Sequence, residues 1–295
     1  MRKPPRVSVG QHSLVGAHPV NQDFHGAMLP GGNLLATKGI VLALADGISS
    51  SRVSHLASQT AVHSFLEDYY ATSEAWTVRR AAQCVLGATN AWLHGQTQRG
   101  EGCFDKDRGH VCTFSALVLK GRDLHLLHVG DSRIYRLHPQ SLEQLTEDHR
   151  IRHSSVESYL ARALGTSPHV EIDYACWEAE RGEIYVLATD GAYEYLDATL
   201  VHRGIARHPD DLDAAAAWLV AQARAAGSED DATLQLLRID ELPQDEAPKA
   251  QLRREGLALP SVLTPRAVFE GFTIVRELQV SARSHVFLAV DEDSG

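Results

Sequence analysis

Three apolar runs, Cys112 to Leu119, Leu124 to Val129 and Ile134 to Leu137, follow one another with only the tight turns Gly121-Arg122 and Gly130-Asp131-Ser132 between them. A parallel crossover needs about a dozen residues, so turns this short demand antiparallel pairing of consecutive strands. Helical periodicity stands on both sides of this meander. Arg52 to Asp68 sets Val53, Leu56, Ala57, Thr60, Ala61, Ser64 and Phe65 on one face, and Val78, Ala81, Ala82, Val85, Thr89, Trp92 and Leu93 repeat the spacing in a second helix. A third helix follows from Leu212 to Ala226, with Asp210 or Asp211 as its N-cap and Gly227 just past its end. Hairpins bracketed by amphipathic helices predict an α+β chain in which helices stack on an antiparallel sheet core.

Onto this frame the sequence places aspartates at strand ends: Ala45-Asp46-Gly47, Gly130-Asp131-Ser132-Arg133, Thr189-Asp190-Gly191 and Asp230-Asp231-Ala232-Thr233. A strand end holds a carboxylate rigidly while its oxygens reach the rim of the sheet. Several such ends on one rim make an oxygen-rich pocket of the kind hard divalent cations require. Other polar residues read as structural. His63, His94, His125 and His128 lack the spacing of helical metal ligands and read as core or surface histidines. Asp148-His149 reads as a solvated loop, and Asp210-Asp211 and Asp291 to Asp293 as cap and turn chemistry.

Composition narrows the class. The formal net charge of −10 argues against a nucleic-acid partner, which calls for a basic stripe. Cys84, Cys103, Cys112 and Cys176 form no Cys-x-x-Cys pair and no Cys-x5-Arg phosphate loop, so they read as free thiols of a reducing compartment. No apolar run reaches the ~18 residues of a membrane span, and the basic start lacks an apolar stretch behind it. A soluble cytoplasmic protein, with no membrane association in this stretch, is the expectation.

Taken together, the motifs of residues 7–240 resemble the metal-dependent serine/threonine protein phosphatases of the PPM (type 2C) family, in its bacterial signalling branch. Asn21-Gln22-Asp23 is similar to the family's first acidic motif, and Asp46-Gly47 to the Asp-Gly whose carboxylate bridges two metals while the glycine carbonyl ligates one. Gly130-Asp131-Ser132-Arg133 matches a hairpin turn whose aspartate binds a third, weaker metal. Thr189-Asp190-Gly191 and Asp230-Asp231-Ala232-Thr233 match the motifs that supply the remaining carboxylates. The resemblance implies a four-layer α-β-β-α sandwich of two antiparallel sheets flanked by helix pairs. It implies two Mn2+ or Mg2+ ions, with a third at Asp131, and water attack on phosphoserine or phosphothreonine. The implied metal set is Asp46, Gly47, Asp190, Asp230, Asp131 and Asp23, of which Asp46, Asp190 and Asp230 are catalytic. His18 stands where the family usually has a phosphate-clamping arginine, and Gln22 where it has a glutamate. These two exchanges keep open a catalytically impaired module that binds phosphoproteins. A dinuclear-metal hydrolase of a small phosphoester is the other alternative.

After Asp240 the character changes. Prolines and mixed charges over 241–268 read as a linker. Within 269–295, Gly271 to Leu278 and Val286 to Asp291 resemble the first two strands of a protein-kinase amino-terminal lobe, with Gln279 to His285 in the place of the glycine loop. That resemblance implies a phosphatase–kinase fusion cut early in its kinase half. It makes the kinase half, alongside other phosphoserine and phosphothreonine proteins, an expected substrate.

Overall fold

The structure is a computed structural model that describes residues 4–152, 158–243, 263–269, 272–280 and 285–291. The chain separates into two units, Met1–Gln244 and Asp245–Gly295. In the first, the elements run β1 (Arg6–Leu14), β2 (Asp23–Met28), α1 (Gly32–Thr37), β3 (Ile40–Asp46), α2 (Ser54–Ala71), α3 (Val78–Arg99), β4 (Phe114–Lys120), β5 (Asp123–Val129), β6 (Arg133–Leu137) and β7 (Leu142–Gln144). They continue with β8 (Arg150–Arg152), β9 (Ser158–Leu160), β10 (Asp173–Glu178), β11 (Ile184–Ala188), α4 (Asp190–Tyr193), α5 (Ala198–Arg207), α6 (Leu212–Ala225) and β12 (Ala232–Glu241).

Two antiparallel sheets form, in the orders β1-β12-β11-β6-β7 and β10-β5-β4-β3-β2. Their side chains divide by the two-residue period of a strand. Ile40, Leu42 and Leu44 of β3 join Leu117, Leu126, Ile134, Leu187 and Leu237 in a core between the sheets. Val41, Ala43 and Ala45 turn the other way, onto Ala57, Ala61 and Phe65 of α2 and Ala82, Leu86 and Leu93 of α3. On the far side Val186, Leu234 and Leu236 pack against Val201 of α5 and Ala215, Leu219 and Val220 of α6. Strands buried on both faces read as continuous apolar runs, which is why β3 has no polar alternation. The expected α+β, four-layer α-β-β-α arrangement is the observed one.

One local expectation fails. The Gly130-Asp131-Ser132 turn is not a hairpin: β5 lies in one sheet and β6 in the other, so this turn is the corner where the chain crosses between them. Gly130 makes the corner with φ +113°, and a Cβ there would lie 2.6 Å from the Thr113 side chain. Two large residues assigned to packed helix faces, Leu56 and Trp92, are exposed. Each helix seats a narrow stripe, Ala57, Ala61 and Phe65 in α2 and Ala82, Leu86 and Leu93 in α3, and these two fall on its flank. The α6 cap is resolved in favour of Asp211, whose carboxylate accepts from the Ala214 amide. Among the described residues no helix is long and apolar enough to cross a membrane.

The second unit contains an antiparallel sheet β13-β14-β15, from Val268–Phe269, Phe272–Val280 and His285–Asp291, with bulges between β14 and β15. The stretch read as a linker over 241–268 begins on the last residue of β12 and ends on the first of β13. Residues 244–262, and 281–284 in the place compared with a glycine loop, lie outside the described residues.

Candidate active site

At one end of the sandwich the strand termini meet. Pairing of β2 with β3 sets Asp23 opposite Asp46, the last residue of β3. Asp190 opens α4 directly after β11, and Asp230 precedes β12. Asp131 sits on the inter-sheet corner. A cavity of about 190 Å3 is lined by Asp46, Gly47, Asp131, Arg150, Asp190 and Asp230, with Ser49, Ser50 and Thr113 completing its polar wall. Four of the carboxylates expected from the sequence therefore share one small pocket, and Asp23 stands behind it on the neighbouring strand.

The backbone is tightly held here. The Asp46 amide donates to Thr113 Oγ1 at 2.9 Å, and the Asp46 carbonyl accepts from the Thr113 amide at 2.8 Å. The Gly47 amide donates to the Gln22 carbonyl at 3.1 Å. Gly191 lets α4 approach β12, because a Cβ on it would stand 2.2 Å from the Asp231 carbonyl oxygen. These contacts fix the carboxylates without using them up, which is what preorganisation of a site requires.

Electrostatically the pocket is short of positive charge. Burial, then the neighbouring Asp23 and Asp190, push the Asp46 carboxyl well above the usual carboxylate range. Burial does the same to Asp23, only partly offset by hydrogen bonds such as that from Thr189 Oγ1 to its Oδ2 at 2.8 Å. Asp190 is raised to about 6 by burial and then by Asp230 and Asp131. The other oxygen of Asp23, Oδ1, is buried and has no hydrogen-bond partner. An orphaned carboxylate oxygen beside an all-oxygen cluster fits a hard cation or the water around it. Among the described residues, no three His, Cys, Asp or Glu side chains gather closely enough to close a coordination shell by themselves. Residues 12–235 match the protein phosphatase 2C family.

This chain belongs to the protein phosphatase 2C family.

The serine/threonine phosphatase stp of Listeria welshimeri is 26% identical to it over 220 residues, covering 67% of this chain and 83% of that protein. Among solved structures, the serine/threonine phosphatase of S. agalactiae superposes with a TM-score of 0.66 at 20% identity, covering 80% of this chain and 100% of that one. The catalytic domain of PstP, in complex with two manganese ions, gives 0.63 at 22% identity, covering 80% and 99%. At such identities the superpositions speak for the fold.

Within this 2C-family fold several residues take places that sequence reading did not give them. Asp231 is buried, and its carboxylate accepts from the Gly16 and Gln22 amides at 2.6 and 2.7 Å. It clips the N-terminal strand region to the start of β12. The Gln22 side-chain amide donates to the Ser51 carbonyl at 2.8 Å. His18 Nε2 lies 3.9 Å from Asp230 Oδ1, at the half-exposed end of the cluster. Asp148-His149 is no solvated loop. Arg133 grips Asp148 through Nε and Nη2 and lies 4.0 Å over the Tyr193 ring. His149 is buried: its Nδ1 accepts from the Gly130 amide at 3.0 Å, which leaves Nε2 to donate to Asp173 Oδ2 at 2.9 Å. The neighbouring His128 is held down to about 4, by burial and then by His149, so it stays neutral. Cys112, bridged to Gly47, is buried and its thiol is pushed up by burial and by Asp46, the reverse of an activated nucleophile. Arg150, unremarked in the sequence, projects its guanidinium into the carboxylates, with Nε on Asp131 Oδ2 and Nη2 3.3 Å from Asp190 Oδ2.

Proposed function

We propose that the first unit, residues 7–240, hydrolyses phosphoserine and phosphothreonine esters of proteins. Asp46, Asp190 and Asp230, with the Gly47 carbonyl, would hold two Mn2+ or Mg2+ ions, and Asp23 and Asp131 would extend the set. The observation that carries this reading is the convergence of four strand-end carboxylates on one pocket, backed by the partnerless buried oxygen of Asp23. Uncatalysed phosphate-monoester hydrolysis is among the slowest of biological reactions, so the site must supply a large reduction of the barrier. The cations, once bound, supply Lewis acidity: an attacking water acidic enough near neutral pH, and positive charge facing the phosphoryl oxygens.

The chain's own groups do the placing. Asp46, half-buried beside Asp23 and Asp190, offers negative charge that has little neutralisation from the protein alone. Asp230 stands at the solvent side, where a phosphorylated side chain enters. His18 beside it presents an imidazole to the incoming phosphate in place of a guanidinium, a weaker donor without the bidentate fork. Buried Gln22 and Asp231 hold the chain segment that carries His18 against β12.

The second unit we read as the opening of a kinase-like lobe over 269–295, joined through the linker at 241–268. The phosphosites of such a partner domain would then be substrates close at hand. Support for this lies in the resemblance of the strand sequences and in the β14–β15 antiparallel pairing.

The test is turnover of phosphopeptides against a panel of small phosphoesters, with Mn2+, with Mg2+ and with chelator. Mn2+-dependent release of phosphate from phosphoserine and phosphothreonine peptides, lost in Asp190→Ala, is the expected result. Preference for the small esters would make the chain a small-molecule hydrolase. Tight phosphopeptide binding without any release would make it the impaired binding module.

A further inference from the structure

We propose that Arg150 is a built-in counter-ion occupying the Asp131 side of the acidic pocket, so that a divalent cation reaching Asp131 must first displace a guanidinium. The inference rests on the metal reading of the pocket given above, and concerns what this chain does to one of its ion positions.

Three observations carry it. The first is the contact itself: Arg150 Nε bonds Asp131 Oδ2 and Nη2 reaches Asp190 Oδ2 at 3.3 Å, so one side chain bridges two carboxylates of the pocket. The second is that Asp131 is buried, at 5% exposure, so its charge needs a partner whenever no ion is near. The third is how Arg150 is delivered. Its neighbour His149 is tied to the inter-sheet corner twice, by its amide donating to the Gly130 carbonyl at 2.8 Å and by its ring accepting from the Gly130 amide. Asp173 fixes the opposite ring nitrogen. The residue that precedes Asp131 and the residue that precedes Arg150 are thus bonded to each other, and the guanidinium starts from a backbone anchored to the same corner. A surface arginine that met a carboxylate by chance would have no such anchoring.

The consequence is competition. A planar guanidinium holds carboxylate oxygens by charge-assisted bonds and carries one full positive charge. A carboxylate oxygen committed to it is unavailable to a hard cation at the same place, and two positive charges about 4 Å apart repel strongly in a partly buried setting. The far side of the pocket, at Asp46 and Asp23, contains no such tenant among the described residues. Ion binding should therefore be strong at Asp46 and selectively weakened at Asp131.

Mn2+ binding to the full chain, by calorimetry and by the electron paramagnetic resonance of free Mn2+, tests this without reference to turnover. Wild type should bind two ions well. Arg150→Ala and Arg150→Gln should gain a third, or tighten the weakest ion at least tenfold. Both should also melt lower than wild type in chelator, by about 2–4 °C, and recover in saturating Mn2+. The Gln variant keeps the length of the side chain, so a folding failure of the Ala variant leaves the test intact. Unchanged ion number and affinities in Arg150→Gln, with unchanged metal-free melting, would overturn the inference while leaving the metal site standing. A wild-type protein that binds no Mn2+ at all would overturn the metal reading and this inference with it.

Discussion

The two sides of the acidic pocket solve the same electrostatic problem differently. On one side Asp131 sits at the inter-sheet corner with Arg150 against it. On the other, Asp46 and Asp23 face each other across paired strands, both raised by burial, and one Asp23 oxygen has no partner. The first side is complete as it stands; the second is left wanting charge. Buried carboxylates without compensation destabilise a fold, so their persistence marks a site organised around something that binds there.

This contrast can be broken by substitution. Asp46→Asn should lower phosphopeptide turnover by about three orders of magnitude, roughly 4 kcal/mol of transition-state stabilisation. Asp131→Asn should lower it less than about tenfold, since that side already carries a counter-charge. Equal losses, measured as kcat/KM at saturating Mn2+, would erase the distinction.

A second measurement concerns pH. Asp23, Asp46 and Asp190 hold protons more tightly in the folded chain than unfolded carboxylates do, and Asp190 does so up to about 6. As pH rises from about 4, the unfolded chain releases protons that the folded chain still binds. The Asp190 share of metal-free stability must therefore fall as pH rises from about 4 and be gone above about pH 6, an effect of no more than about 3 kcal/mol, while His128, held down to about 4, works in the opposite direction. Chemical denaturation of wild type and Asp190→Asn in chelator reads it as the difference between the two proteins, and saturating Mn2+ should remove the pH dependence of that difference in favour of wild type. A stability difference between the two proteins that does not change over that interval would show that Asp190 is not crowded in solution.

The smallest effect belongs to the rim. His18→Arg should lower KM for phosphopeptide by a factor corresponding to about 1–2 kcal/mol, with kcat little changed. A raised KM would mean that proximity to Asp230 does not put His18 in the path of the phosphate.

Much of this was legible in sequence because the strand-end carboxylates are local signals: Asp46, Asp190 and Asp230 each abut an apolar run, and the strand limits of β3, β5, β6 and β11 fall close to those runs. The helices α2, α3 and α6 were legible from period alone. What sequence could not supply was long-range pairing. Turn length correctly paired β4 with β5 but wrongly paired β5 with β6, because a corner between sheets and a hairpin use the same few residues. α5 was missed because it runs only ten residues, so its core-facing Leu200, Val201 and Ile205 fill too short a window for a period to stand out. Arg150 was invisible for a plainer reason. Its partners lie 19 and 40 residues away, and a three-residue strand is too short to show a period. Asp231 shows the converse: its motif was recognised, yet only the fold reveals that its carboxylate fastens amides more than 200 residues distant.

That fastening has a temporal meaning. β1 has its partner in β12, Arg6 opposite Glu241, and Ser8 bonds Asp240 across 232 residues. A chain emerging from the ribosome can assemble β3, β4 and β5 early, since β4 and β5 adjoin through a tight turn and β3 precedes them by only the two helices that pack on the same sheet. The first strand must wait for nearly the whole unit to be synthesised, because contacts of such separation form last and slowly. The Asp231 clip and the loop bearing His18 wait with it. Nascent chains shorter than about the first unit would carry the helices and most of one sheet yet no assembled pocket, so phosphatase action switches on only when β12 is free to close the fold.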